Sequence, residues 1–179
     1  LAAGKQFHHN LISVGGASLR THWNSGNAAK EIDHGHYDFV VLQEQSTLPI
    51  KNPARMHENI RLFDQFIKAA GSSTALYLTW ARQHAPQTQA AISDAYISIA
   101  QELSARLIPA GIAWEKFLTA HKLPVLHDRD KSHPTLAGSY LAACTAFATL
   151  FEFDPAALKV EIQTLTPEET HLLQATAAE

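Results

Sequence analysis

Apolar runs typical of buried strands alternate in this 179-residue chain with segments of helical period, and this alternation constrains the fold most strongly. The run YDFVVLQ at 37–43 is almost continuously β-branched or aromatic, as expected for a strand buried on both faces. TALYLTW at 74–80 has the same character, and FHHNLISV at 7–14 and KLPVLHD at 122–128 are further strand candidates. The alternation predicts an α/β fold in which helices cover both faces of a parallel sheet.

The segments between these strands carry start and stop signals of helices. Asn52 before Pro53 is a typical helix N-cap, and Gly71 is a typical stop. Thr166 with Glu169 three residues later predicts a capping box. The predicted helices cover about 52–70, 86–109, 114–121 and 134–151, with a last one from Thr166.

Composition narrows the classes of function. The chain is long enough for one domain with its own core. A formal net charge of -3 gives no basic surface, so we expect no nucleic-acid partner. No apolar run approaches the roughly 20 residues that span a bilayer, so we expect no membrane span. A single cysteine, Cys144, excludes an internal disulfide and a zinc site built from cysteines. Neither the compartment nor the oligomeric state follows from the sequence.

Ligand sites in open α/β sheets lie beyond the carboxyl ends of the strands, so the residues after each candidate strand are the candidate site. We expect the four segments that follow the strands to converge on one rim. These segments are GGAS at 15–18, QEQS at 43–46, WARQH at 80–84 and HDRDKSHP at 127–134.

The spacing of Asp130 and His133 suggests a catalytic pair. Three residues apart in a turn before a helix, the carboxylate can reach the imidazole Nδ1. It would then fix the tautomer and leave Nε2 as a proton acceptor. The alternative is a helix-capping pair in a solvated loop, since so short a pattern is common.

The longer stretch LHDRDKSHPTLAGSYLAACTAFATLF at 126–151 resembles the C-terminal block of the SGNH (GDSL-type) hydrolases. These are serine esterases and acylhydrolases with a three-layer α/β/α, flavodoxin-like fold. The resemblance implies that Asp130 is the triad acid and His133 the triad base. It also implies an oxyanion hole formed by Gly16 and Gln45. Gln45 stands where the family usually has asparagine. Gly15 and Gln43 are the alternative donors.

The family's nucleophile is missing from the sequence. It is a serine in a Gly-Asp-Ser or Gly-Asn-Ser motif after the first strand, and no such motif occurs here. The opening LAAGKQ resembles the end of the family's first helix. We therefore expect one domain over 1–179 that lacks its first strand and most of its first helix, with the serine upstream of Leu1. Ser18 and Ser46 are weaker candidates, because neither lies on a sharp strand-to-helix turn.

The resemblance implies a serine-dependent esterase that cleaves a small acyl ester, with a carbohydrate O-acetyl group among the candidates, and that needs no cofactor or metal. Trp80 and Arg82 are expected to line the substrate pocket, although Trp80 fits a core position equally well. Two other interpretations stay open: a non-catalytic carbohydrate- or acyl-binding module, and a metal-dependent hydrolase. The ligands of such a metal would be His127, Asp128, Asp130 and His133.

Overall fold

The computed structural model describes residues 4 and 6–179, and this part of the chain contains three β-strands and eight α-helices. The strands are β1 (Phe39–Leu42), β2 (Ser73–Tyr77) and β3 (Arg106–Ile108). The helices are α1 (Leu19–Ser25), α2 (Asn27–Gly35), α3 (Leu48–Lys51), α4 (Pro53–Ala69), α5 (Gln89–Leu103), α6 (Ala110–Ala120), α7 (Leu136–Phe151) and α8 (Pro167–Ala178). Two short 3-10 turns lie at Pro86–Thr88 and Pro155–Ala157.

The three strands form one sheet in the order β1-β2-β3. β1 and β2 run parallel, with Phe39 opposite Ser73 and Leu42 opposite Leu76. β1 lies inside the apolar run 37–43 that predicted it, and β2 overlaps the run 74–80 and begins one residue before it. The α/β class with a parallel sheet flanked by helices is therefore confirmed.

The described residues fall into two compact units. The sheet unit comprises His9–Thr79 and Ala90–Leu107. The C-terminal unit comprises Trp80–Gln89, Ile108–Glu179 and the described part of 1–8.

Helix α4 forms the core of the sheet unit. Its apolar side chains recur at helical spacing, so they share the face that packs against β2 and α1. The buried residues of this face include Met56, Ile60, Phe63 and Ile67. Asn52 caps the helix as predicted, because its side-chain oxygen accepts the N–H of Arg55 at 3.0 Å.

Helices α6, α7 and α8 pack against one another in the C-terminal unit. Their core contains Trp114, Phe117, Leu126, Leu141 and Leu173. The predicted capping box of α8 is present, with Thr166 and Glu169 bonded reciprocally.

Two predicted strands do not form. Residues 6–14 have no regular structure, and Leu11 and Val14 in this segment are exposed. A strand is stabilised by its ladder partner, and in the described part of the chain 7–14 has none. Residues 122–128 contribute only one isolated bridge, between His127 and Pro134. Pro124 lacks the N–H that a ladder would need there.

The third strand lies where the sequence predicted helix. Leu107 continues the helical period of the segment before it, but α5 ends at Leu103. Ser104 adopts a left-handed φ of 51°. The N–H of Ala105 then bonds to the carbonyl of Ala100 at 2.9 Å, which closes the helix. β3 has three residues, too few to show a period of two.

Three helices were not predicted, and three predicted helices begin elsewhere than expected. α1, α2 and α3 cover segments for which the sequence predicts no helix. α5 begins at Gln89, after a 3-10 turn at Pro86–Thr88, and α6 begins at Ala110, four residues earlier than predicted. α7 begins at Leu136, not at Pro134, because Thr135 is the N-cap. The Thr135 hydroxyl accepts the N–H of Gly138 at 3.2 Å and donates to the carbonyl of Val125 at 2.6 Å.

Gly138 allows α7 to lie very close to its neighbours. A Cβ at this position would stand 2.5 Å from the carbonyl oxygen of Leu126 and 2.5 Å from the ring of Trp114. Trp114 is fully buried, so its ring cannot swing away into solvent.

We predict that Gly138→Ala destabilises the protein by about 1–3 kcal/mol through overpacking. This loss outweighs the roughly 0.5–1 kcal/mol that alanine gains over glycine inside a helix. Urea unfolding followed by circular dichroism measures the difference. Ser139→Ala, at the exposed neighbouring position, is the control and should change stability by less than about 0.5 kcal/mol. A Gly138→Ala protein at least as stable as the parent would contradict this account of the contact.

Candidate active site

The loop from 127 to 135 folds back on itself before α7. The N–H of Asp128 donates to the carbonyl of His133 at 2.8 Å, and the N–H of Thr135 donates to the carbonyl of Leu126 at 2.8 Å. Within the loop, the N–H of Lys131 donates to the carbonyl of Asp128 at 2.9 Å. These backbone bonds fix the path of the loop, so the side chains between them have a defined direction.

Asp130 and His133 meet inside this loop, as their spacing predicted. Asp130 Oδ2 bonds to the imidazole Nδ1 of His133. The other oxygen, Oδ1, accepts the backbone N–H groups of Ser132 at 3.0 Å and His133 at 2.9 Å. With Nδ1–H donating to the carboxylate, the lone pair of the ring lies on Nε2. The side chains of His133 and Asp130 are 79% and 49% exposed, so the ring is accessible from solution.

The same contacts alter the acidity of Asp130. Its pKa lies well below the usual range, first because the His133 side chain bonds to the carboxylate. The backbone N–H groups of His133 and Ser132 lower the pKa further. Asp130 is therefore an anion at neutral pH, the form that can orient an imidazole.

The segment 80–83 anchors this loop from the side. The indole N–H of Trp80 donates to the carbonyl of Ser132 at 3.0 Å, one residue before His133. The N–H of Gln83 donates to the carbonyl of Lys131 at 2.9 Å. His127 is buried and its Nε2 bonds to the carbonyl of Ala81 at 3.0 Å.

Trp80 and Arg82, the predicted pocket residues, differ in their surroundings. Trp80 is half-buried, and its ring is stacked on Trp114 with centroids 4.0 Å apart and planes 3° apart. Arg82 is exposed beside the anchored loop. Substrate contact by either residue stays a prediction, while the hydrogen bond to Ser132 gives Trp80 a role in holding the loop.

The two predicted oxyanion donors belong to the sheet unit. Gly15 and Gly16 form an exposed turn closed by the N–H of Ala17 on the carbonyl of Val14 at 3.1 Å. Gly16 has a φ of 72°, a conformation that favours glycine. Gln45 follows β1 and is half-buried.

The side chain of Gln45 is oriented by Thr47. Its Oε1 accepts both the N–H and the hydroxyl of Thr47, each at 2.9 Å. This leaves the amide Nε2 as the free donor end, whereas Gln43 is exposed after the strand.

Glu44, which the sequence analysis did not single out, lies between these elements. It is 1% exposed, and its Oε1 accepts the N–H of Leu19 at 2.9 Å and the N–H of Gln45 at 2.8 Å. Its Oε2 accepts the amide of Asn59 at 2.8 Å. The signal in the sequence was alternation: Glu44 is two residues after the buried Leu42, the spacing that would place both side chains on one face if the strand continued.

Three further observations concern metal binding, cavities and membrane spans. Among the described residues, no three His, Cys, Asp or Glu side chains form a cluster that could hold a metal ion. A cleft of about 490 Å³ lies at the amino ends of β1 and β2, lined by residues such as Tyr37 and Ser73. None of the predicted site residues lines it. No described helix has the length and apolar character to cross a membrane.

The structure therefore joins the predicted residues in two sets. In the C-terminal unit, Asp130 and His133 lie on a loop tied to the segment after β2. In the sheet unit, Glu44 ties the start of α1, close after the glycine turn, to the segment after β1. That the two sets line one rim stays a prediction.

Comparisons with known proteins agree with the sequence resemblance. Neither protein-family models nor curated proteins gave a match. Solved structures did: a protein from Slackia heliotrinireducens, provisionally described as an SGNH hydrolase, is 26% identical with a TM-score of 0.67. The match covers 76% of this chain and 80% of that one. The chain thus has an α/β fold similar to that of SGNH hydrolases, as predicted.

Two more solved structures share the fold at lower identity. A DUF4886 family protein from Bacteroides uniformis is 18% identical over 92% of this chain and 79% of its own, with a TM-score of 0.74. TesA is 18% identical over 75% of this chain and 73% of its own, with a TM-score of 0.58. At this identity the likeness concerns the fold alone.

We predict that Asp130 remains ionised below the pH at which ordinary exposed carboxyl groups protonate. The pKa of Asp130 is lower in the folded protein than in the unfolded chain. The ionised carboxylate therefore stabilises the fold fully at pH values above the pKa of the unfolded chain, and this stabilisation is lost as the pH falls through the pKa of the folded protein. A carbon-13 NMR titration of the carboxyl group measures the midpoint. His133→Ala should raise that midpoint, since the largest cause is removed, and the two backbone donors should keep it below the usual value. His171→Ala, at an exposed position of α8, is the control, and equal midpoints in all three proteins would contradict the assignment.

Proposed function

We propose that this protein is a serine-dependent esterase that cleaves small acyl esters, with His133 as general base and Asp130 as its orienting acid. The observation that carries the proposal is the bond between Asp130 and the Nδ1 of an exposed imidazole whose loop is fixed by backbone bonds. This bond leaves Nε2 of His133 able to accept a proton. The SGNH-like fold supports the same chemistry.

The reaction would proceed through an acyl-enzyme. His133 Nε2 takes the proton of the serine hydroxyl while the serine oxygen attacks the ester carbonyl. The tetrahedral intermediate collapses, and His133 returns the proton to the leaving alcohol. Water then repeats the sequence at the acyl-enzyme and releases the acid. Asp130 keeps the imidazole in the required tautomer and stabilises its charged form throughout.

We assign the oxyanion of the intermediate to two donors of the sheet unit. The backbone N–H of Gly16 and the amide Nε2 of Gln45 would donate to the oxygen as it becomes negative. The bonds from Thr47 to Gln45 Oε1 support this assignment, because they leave the donor end of the amide available.

We assign the nucleophile to a serine in a segment N-terminal to Leu1. The serine candidates within the chain suit other roles better. Ser18 is the N-cap of α1, and its Oγ accepts the N–H of Thr21 at 3.3 Å. Ser46 is exposed next to Gln45 and is followed first by the four-residue helix α3, so it does not lie on a turn that leads directly into a long helix. The acyl group of the substrate is proposed to be small, such as an O-acetyl group on a carbohydrate, with Arg82 and Trp80 beside it.

We predict that a fluorophosphonate probe labels one serine when the protein is expressed from its complete coding sequence. His133→Ala should abolish labelling and lower kcat for 4-nitrophenyl acetate by about 10⁶-fold, because the serine then has no base. His171→Ala is the matched control and should behave like the parent. Peptide mass spectrometry locates the labelled serine. Unchanged labelling in His133→Ala would reject its role, and a parent protein that binds acylated sugars without hydrolysing them would favour the binding-module alternative.

Replacing Gln45 separates the two glutamine candidates for the oxyanion hole. We expect Gln45→Ala to lower kcat by about 10²–10³-fold, as for loss of one oxyanion donor. KM should change little, because the donor acts on charge that develops only in the transition state. Gln43→Ala, at the exposed position two residues earlier, should leave both constants near parental values. The reverse pattern would transfer the role to Gln43.

A further inference from the structure

We infer that Glu44 is a positioning residue that holds both oxyanion donors in place. The inference rests on the proposed function and deepens it. Gly16 and Gln45 are 29 positions apart in the sequence, so their relative placement needs a tie between their segments. Glu44 Oε1 supplies one, since it accepts the N–H of Leu19, three residues after Gly16, and the N–H of Gln45 itself.

The partners of Glu44 are matched to a carboxylate. All three groups that bond to its side chain are N–H donors, from Leu19, Gln45 and Asn59. The side-chain amide of Asn59 cannot be flipped without losing a hydrogen bond, because its Oδ1 already accepts the N–H of Arg20 Nε at 3.0 Å. A glutamine at position 44 would have to present an NH₂ group to one of these donors.

The backbone of Glu44 is fixed as well. Its N–H donates to the hydroxyl of Tyr96, which is fully buried in α5, at 3.1 Å. Burial raises the pKa of this phenol far above its usual value, so the hydroxyl stays neutral. Glu44 is thus connected to α1, α4 and α5 at the point where β1 ends, which makes its side chain a rigid support.

The burial of this charge is unusual for a purely structural residue. A buried carboxylate is costly, and an apolar side chain could fill the same space. Asp64, also buried in the sheet unit, forms a salt bridge with Lys68, whose Nζ lies 2.9 Å from Asp64 Oδ2. Glu44 bonds directly to no cation among the described residues: Arg20 reaches it through Asn59. What Glu44 gains instead is three directed N–H bonds, two of them from the segments that carry the oxyanion donors.

Glu44 itself is not suited to proton transfer. It is 1% exposed and both carboxylate oxygens are occupied by N–H groups of the protein. It would act through the position of Gly16 and Gln45, so its loss should reduce kcat and leave KM nearly unchanged.

The test compares Glu44→Gln with Asp64→Asn in the protein expressed from its complete coding sequence. In Glu44→Gln we expect amide hydrogen exchange at Leu19 and Gln45 to accelerate about tenfold or more, because a neutral amide oxygen accepts both N–H groups more weakly than the carboxylate oxygen does. We expect kcat for 4-nitrophenyl acetate to fall about 10–100-fold with KM within about twofold. Asp64→Asn removes a buried carboxylate that bonds to Thr74 and touches neither donor segment. It should leave kcat and the exchange of Leu19 and Gln45 near parental values.

The outcomes separate the inference from the proposed function. An active parent together with an equally active Glu44→Gln protein overturns the inference alone, as does an equal loss of kcat in Asp64→Asn. A parent without esterase activity overturns the proposed function, and the inference with it. If Glu44→Gln does not fold, Asn59→Leu takes its place, since it removes one donor and the link to Arg20. Asn59→Leu should lower kcat and accelerate amide exchange at Leu19 and Gln45, each by a smaller factor than expected for Glu44→Gln. Parental values of kcat and of both exchange rates would overturn the inference.

Discussion

The close approach of α7 to Leu126 and Trp114 at Gly138 is the contact on which the candidate base depends. Only the absence of a Cβ lets the helix lie there, with the Leu126 carbonyl against its first turn. The N–H of Thr135, the N-cap of the same helix, bonds to that carbonyl at 2.8 Å. Both ends of the loop that carries His133 are therefore fixed by one helix start. A helix displaced by a larger residue would shift the whole loop.

Anchoring to backbone carbonyls gives this loop rigidity at low electrostatic cost. The donors from Trp80 and Gln83 bond to carbonyls of Ser132 and Lys131, so no charge is buried to hold them. The one charge that is used, on Asp130, lies near solvent and serves the imidazole directly. Near the glycine turn the arrangement is different: the tie is the buried carboxylate of Glu44. A carboxylate oxygen can accept two N–H groups from segments distant in sequence, which a backbone carbonyl inside a strand has little freedom to do.

Features that depend on residues close together in the sequence were predicted correctly, whereas features that depend on distant partners were missed. The strands β1 and β2 lie largely within apolar runs of seven residues, and the cap at Asn52 involves residues three apart, so the strands and the cap were predicted correctly. The segment 7–14 has strand composition, but a strand depends on a partner that composition does not reveal. β3 was assigned to a helix because Ser104 ends α5 through a left-handed backbone conformation, which serine adopts rarely.

The same distinction explains which parts of the candidate site were visible in the sequence. Asp130 and His133 form a local pair, and a turn of four residues is enough to bring the carboxylate to Nδ1. Glu44 is defined by partners 15, 25 and 52 positions away, so no short pattern contains them. The sequence nevertheless contained one signal. Glu44 is two residues after the buried Leu42, and a glutamate that is buried at such a position needs hydrogen-bond donors for its carboxylate. A charged residue that is buried directly after a strand therefore indicates a non-local tie, and the segments it joins are candidates for the parts of a site that must be held in register.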